Sequence, residues 1–142
     1  MPKEVLHKKL DQIQELISEL EELLSKPFDE FTSSFIYIRA AERNFQLIVD
    51  MASDINTHIL VANGKKTPDS YKQSFSDLAK INLLYRDLIH KLVNTAKLRN
   101  VLVHEYDFEE DYEKFYTSAK ESIPPYKEYV RMIYKYVKEN MK

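Results

Sequence analysis

The 142-residue sequence predicts an all-α fold, a bundle of about five helices forming one domain over residues 1–142. Three observations carry that expectation. The chain has one glycine and five prolines, too few turn formers for the many hairpins of a sheet. Leucine and isoleucine recur at positions 6, 10, 13, 17, 20 and 24 in alternating steps of four and three, the stripe of an amphipathic helix. The same threes and fours return along the rest of the chain, and 44% of its residues are apolar, enough at this length for one real core.

Each element follows from its local pattern. The first stripe stops at Pro27; Leu16 and Leu23 widen it beyond a strict coiled-coil seam, so it reads as a bundle helix. From Asp29, a good N-cap, a second helix is predicted through Phe31, Phe35, Ile38, Phe45, Ile48, Ala52, Ile55 and Ile59, ending at Asn63-Gly64. The polar run Lys65 to Ser70 is a loop leading to a cap, after which Tyr71 to Ala79 reads as a short helix. A fourth helix carries Leu78, Ile81, Tyr85, Leu88 and Leu92 on one face and extends towards residue 103. The acidic stretch from Asp107 to Asp111 caps a last helical region with Tyr112, Phe115, Tyr116 and Ala119. Pro124-Pro125 is expected to interrupt it, leaving Tyr126 to Lys138 as a new or sharply kinked helix.

Charge and composition exclude several classes of function. With 21 basic against 23 acidic side chains, the net charge is -2, so any nucleic-acid site is a local patch rather than a global field. The absence of cysteine removes disulfides, thiolate metal sites and cysteine nucleophiles. No convincing zinc site forms around His58 or His90, and no metal is expected. The polar start and the lack of any window of 18 apolar residues give a soluble, cytoplasmic protein with no membrane partner as the expectation. The ten tyrosines mostly recur at helical spacing beside apolar residues, which favours core and interface packing over base stacking.

The chemistry lies at the end of the fourth helix. Stepping on from Leu92 by threes and fours gives Thr95, Arg99, Leu102 and Tyr106, which lands an arginine on the apolar face. A guanidinium is costly to desolvate alone, so Arg99 meets a groove, an interface or a bound anion, or else snorkels or forms a salt bridge. His104 lies five residues on; five residues turn about 500° on an ideal helix and leave the two about 140° apart. They converge only if the helix ends or kinks there, or if a second subunit contributes. Asn100 is four residues before His104, on its face, where it can set the imidazole tautomer.

Taken together, Arg99-Asn100-Val101-Leu102-Val103-His104-Glu105-Tyr106 resembles the R-N-x-x-x-H-x-Y signature of the HEPN superfamily, specifically its HepT-like toxins. The segments Ala41 to Gln46, Ile55, and His58 to Leu60 resemble that family's second-helix pattern, and Pro68 to Leu78 its loop and third helix, so the resemblance spans roughly Leu10 to Val137. It implies a homodimer whose R-x4-H motifs face one another across a cleft, acting on RNA as a metal-independent endoribonuclease without a cofactor.

Under that resemblance His104 moves the proton between the 2′-hydroxyl and the 5′-oxygen, and Arg99 stabilises the charge of the phosphorane. Asn100 orients His104 or holds a phosphate oxygen. Tyr106 is the expected acceptor of AMP, placed there by a cognate minimal nucleotidyltransferase antitoxin for which ATP is the substrate. Such a group would fill the cleft and repel RNA. Arg39 and Arg43 are candidate cleft or RNA contacts. The alternative is a non-catalytic HEPN module that binds nucleotide or the nucleotidyltransferase.

Overall fold

A computed structural model describes residues 2–104 and 111–141, with backbone alone at 103 and 104. The leucine stripe becomes α1, Lys3–Leu24, and all six of its apolar positions are buried. Pro27 then caps a five-residue helix, α2, Phe28–Thr32, and α3 runs Phe35–Ala62. After the loop come α4, Tyr71–Ser76, a 3-10 turn over Asp77–Ile81, α5 over Arg86–His104 and α6 over Tyr112–Asn140. The described residues are all helix and connection, as the composition implies.

Cross-helix contacts fix how these elements run. Lys9 meets Asp54 and Asn44 meets Glu19, so α1 is antiparallel to α3. His7 packs edge-on against Tyr134 while Lys127 reaches Glu21, which sets α6 antiparallel to α1 as well. Phe45 meets Phe115 and Asn63 meets Tyr136, so α3 and α6 run the same way. Between them lies a core of Leu10, Ile13, Phe45, Val49, Tyr126, Tyr129 and Ile133, each buried. Among the described residues no helix is long and apolar enough to cross a membrane.

Where sequence and structure differ, a specific physical cause can be named. The single helix expected from Asp29 to Ile59 is broken at Ser33-Ser34. The hydroxyls of Thr32 and Ser33 bond back to the carbonyls of Phe28 and Glu30, competing with the helical ladder. Ser34 is extended and accepts the Ile36 amide as the cap of α3. The break turns Phe35 out to solvent, 71% exposed, rather than into the stripe. Asp29 sits in the first turn of α2 behind Pro27 instead of capping it.

The reverse holds at Pro124-Pro125: of the new or sharply kinked helix expected there, a new helix does not start, and α6 continues over both prolines. The carbonyls that lose amide donors belong to the exposed residues Lys120 and Glu121, which water reaches, while Ile123 and Tyr126 anchor the helix on either side. The predicted helix from Tyr71 to Ala79 is α4 running into the 3-10 turn, closed by Asn82 at φ 54. That left-handed residue separates Leu78 and Ile81 from α5 and leaves Tyr85 half exposed, outside the buried face. Gly64, at φ 74, ends α3 as the sequence indicates, its amide and that of Lys65 closing back on Val61 and Leu60.

Candidate active site

Arg99 sits near the end of α5 with its side chain 15% exposed. Its Nε donates to Asp50 Oδ1 of α3 at 2.9 Å. Its Cζ lies 4.4 Å from the ring centroid of Tyr71, the first residue of α4, in a cation–π contact. The terminal nitrogens reach farther, Nη1 to Asn100 Oδ1 and Nη2 to the Tyr71 hydroxyl oxygen, each at 3.4 Å. The arginine thus resolves into the salt-bridged alternative on its Nε edge.

Each partner is held in turn by the fold. Asp50 is on the outer face of α3, its side chain 29% exposed. Ser70 caps α4 by accepting the Gln73 amide at 3.0 Å. Ser74, fully buried, donates to the Tyr71 carbonyl at 2.7 Å and accepts from Ser53 Oγ at 2.9 Å. Those bonds moor α4 to α3 and put Tyr71 beneath the guanidinium. Burial, and then the Asp50 carboxylate, push the Tyr71 hydroxyl above its ordinary pKa, with Arg99 opposing. Below α5, Thr95 Oγ1 meets the Tyr126 hydroxyl at 2.7 Å, both buried. Burial pushes that tyrosine well up too.

Of the residues singled out by sequence, the structure brings Arg99 and Asn100 together. His104 is the last residue of α5, and its side chain lies outside the described residues. Tyr106 and the acidic run up to Glu110 also lie outside them. Asp111 caps α6 by accepting the Lys114 amide at 2.9 Å. Arg39 and Arg43 lie 11 and 7 residues before Asp50, within about 20° of its face on α3. Arg39 pairs with Glu42 at 2.7 Å. Arg43 is exposed and makes no ion pair among the described residues. A groove of about 1110 Å³ opens between α5 and α6, lined by Leu98, Leu102, Phe115 and Pro125, and its lining does not include Arg99.

Asp50 and Tyr71 are what sequence reasoning missed. A carboxylate inside the apolar run Ile48-Val49-Asp50-Met51-Ala52 signals an interrupted face. Its partner stands 49 residues away, beyond any spacing rule.

A model of ribonuclease HepT-like proteins matches residues 13–133. The chain belongs to the ribonuclease HepT-like family. This HepT-like chain is 32% identical over 135 residues to a tRNA nuclease HepT of Aphanizomenon flos-aquae, with 94% of this chain and 90% of that protein covered. It shares its fold with a tri-AMPylated HEPN toxin of Shewanella oneidensis solved in complex with MNT antitoxin, at TM-score 0.83 and 22% identity over 92% and 97% of the two chains. A second structure, of a toxin–antitoxin with AMP-PNP, gives TM-score 0.83 at 21% identity over 93% and 98%. The HEPN resemblance read from the motif near Arg99 is therefore matched by both sequence and fold.

Proposed function

We propose that this chain is the toxin of a HEPN/minimal nucleotidyltransferase toxin–antitoxin pair, a cytoplasmic, metal-independent endoribonuclease whose residues 1–142 form one such domain. The observation that carries the reading is the presentation of Arg99. It is desolvated, fixed at its Nε edge, and set five residues before His104 on one helix. His104 takes the proton of a 2′-hydroxyl as that oxygen attacks phosphorus, and returns it to the departing 5′-oxygen. The products are a 2′,3′-cyclic phosphate and a 5′-hydroxyl. Arg99 carries the charge gathered on the phosphorane oxygens, and Asn100 orients the imidazole or holds a phosphate oxygen. Arg43 and Arg39, on the face of α3 that bears Asp50, extend the positive surface available to RNA.

The α5 helix runs without a break to His104, so positions 99 and 104 stand about 140° apart around its axis. This supports a homodimer in which a second copy closes the site. The cognate nucleotidyltransferase adds AMP from ATP to Tyr106, which silences the toxin by filling the cleft with negative charge. The curated relative is named for tRNA, which makes tRNA the first substrate to offer.

The test is cleavage of tRNA by the purified, unmodified full-length protein in excess EDTA, beside His104→Ala and Arg99→Ala of matched circular dichroism. Cleavage by the wild type alone is the expected result. Cleavage surviving both substitutions, or none by a wild type shown by mass spectrometry to be free of AMP, would sink the reading.

A further inference from the structure

Among the described residues the guanidinium of Arg99 is held at its Nε and against the Tyr71 ring, and its terminal nitrogens are bound loosely. Asp50 accepts from Nε at 2.9 Å, and Cζ lies over the Tyr71 ring, 4.4 Å from its centroid. Among the described residues the terminal nitrogens meet only neutral oxygens, at 3.4 Å. A donor–acceptor distance of that length is beyond the usual range for N–H···O bonds. Those contacts give way readily to charged phosphate oxygens, which a guanidinium binds in parallel through two nitrogens.

We propose that Asp50 and Tyr71 are positioning residues for RNA cleavage: they fix Arg99 by its Nε hydrogen bond and its cation–π contact so that both terminal nitrogens are aimed at the scissile phosphodiester. This rests on the ribonuclease reading above. Preorganisation is the physical reason. A long, flexible arginine held in place before the substrate arrives loses no further freedom at the moment of reaction. The socket is itself rigid, because Tyr71 is tied through its carbonyl to buried Ser74 and from there to Ser53 and Asn56 of α3. Asp50 sits on Nε and not on the terminal edge, so a phosphate need not displace it. That arrangement separates positioning from the opposite role, an internal anion that competes with RNA for the arginine.

The experiment compares full-length wild type, Asp50→Ala and Asp50→Asn on tRNA in EDTA, reading kcat and KM separately at temperatures well below each protein's midpoint. Asp50→Ala lowers kcat by about 10- to 100-fold with KM changed by less than about 3-fold. Asp50→Asn, whose amide oxygen still accepts from Nε, recovers roughly a third of wild-type kcat. In nitrogen–proton spectra the Arg99 Nε–H signal, assigned by its loss in Arg99→Lys, is protected in wild type and lost in Asp50→Ala. Titrated inorganic phosphate moves the terminal signals while Nε stays protected. An unchanged kcat in Asp50→Ala, faster cleavage with tighter RNA binding, or an Asp50→Asn protein as impaired as Asp50→Ala overturns the proposal. If the wild type cuts no RNA, the ribonuclease reading fails by itself. The spectra still decide whether Asp50 holds Arg99, and an unprotected Nε signal in wild type refutes it.

Discussion

Replacing Tyr129 by phenylalanine removes one hydroxyl from the centre of the bundle and nothing else. That hydroxyl donates to Asn56 Oδ1 at 2.6 Å and lies 3.1 Å from the Ala52 carbonyl, and both Tyr129 and Asn56 are 0% exposed. The Ala52 carbonyl keeps its place in the ladder of α3, whereas Asn56 Oδ1 is left buried without a partner. A lost hydrogen bond is worth about 1 kcal/mol and an orphaned buried acceptor about 1–3 kcal/mol, so the change should cost about 2 kcal/mol. At about 2.1 cal/mol/K per residue, a chain of this length unfolds with an entropy near 0.3 kcal/mol/K, which converts that loss to a Tm lower by about 6–7 °C. Thermal denaturation followed by circular dichroism and by calorimetry measures it.

A double-mutant cycle isolates the pair. With Asn56→Leu and Tyr129→Phe together, neither polar group remains to be orphaned, and the double variant should be more stable than the sum of the singles by about 1 kcal/mol. Because Ser74 still donates to the Tyr71 carbonyl, α4 stays beneath Arg99, and cleavage well below Tm should change less than about 3-fold. A Tyr129→Phe midpoint within about 2 °C of wild type, or strict additivity in the cycle, would refute the argument.

Two further outcomes follow from the same packing. Burial pushes the hydroxyls of Tyr126 and Tyr129 above their ordinary value, so the unfolded chain gives up these protons near pH 10 while the folded one keeps them. Their contribution is complete below pH 10 and falls as pH rises beyond it, by about 1.4 kcal/mol per pH unit for each tyrosine. In urea denaturation the fall in stability from pH 9 to pH 11 should be smaller by about 1.4 kcal/mol in Tyr126→Phe, and parallel curves would count against it. At Gly64 an added Cβ meets nothing within 4 Å, so Gly64→Ala should cost only the left-handed backbone term of about 1–2 kcal/mol, read as a small drop in Tm with cleavage unchanged.

What was legible in the sequence is what short-range chemistry decides. The stripe from Leu6 to Leu24 is the buried face of α1, because a helix repeats its face every three to four residues whatever it packs against. Asn63-Gly64 ends α3, Ser70 opens α4 and Asp111 opens α6, since caps act within three or four residues of themselves. The tyrosines at 126 and 129 are core, as their apolar neighbours indicate. The arginine on the apolar face of α5 and the motif after it were also readable, and they led to the family.

The tertiary structure decided the rest. Whether Thr32, Ser33 and Ser34 bend the chain, and whether Pro124-Pro125 stops it, turns on what the flanking side chains gain by packing. Phe31 is buried against Tyr116 on one side of the first break. Ile123 and Tyr126 are buried across the prolines. Local propensity is worth up to about a kilocalorie for an ordinary residue and about 3 kcal/mol for a proline inside a helix, and the joint burial of several large side chains is worth more. The partners of Arg99 belong to this second class. Asp50 and Tyr71 stand 49 and 28 residues away in sequence, and only the docking of α3 and α4 onto α5 brings them to one guanidinium. Sequence placed a charge where it needed company; the fold chose an acid for its Nε and an aromatic ring for its cation–π contact.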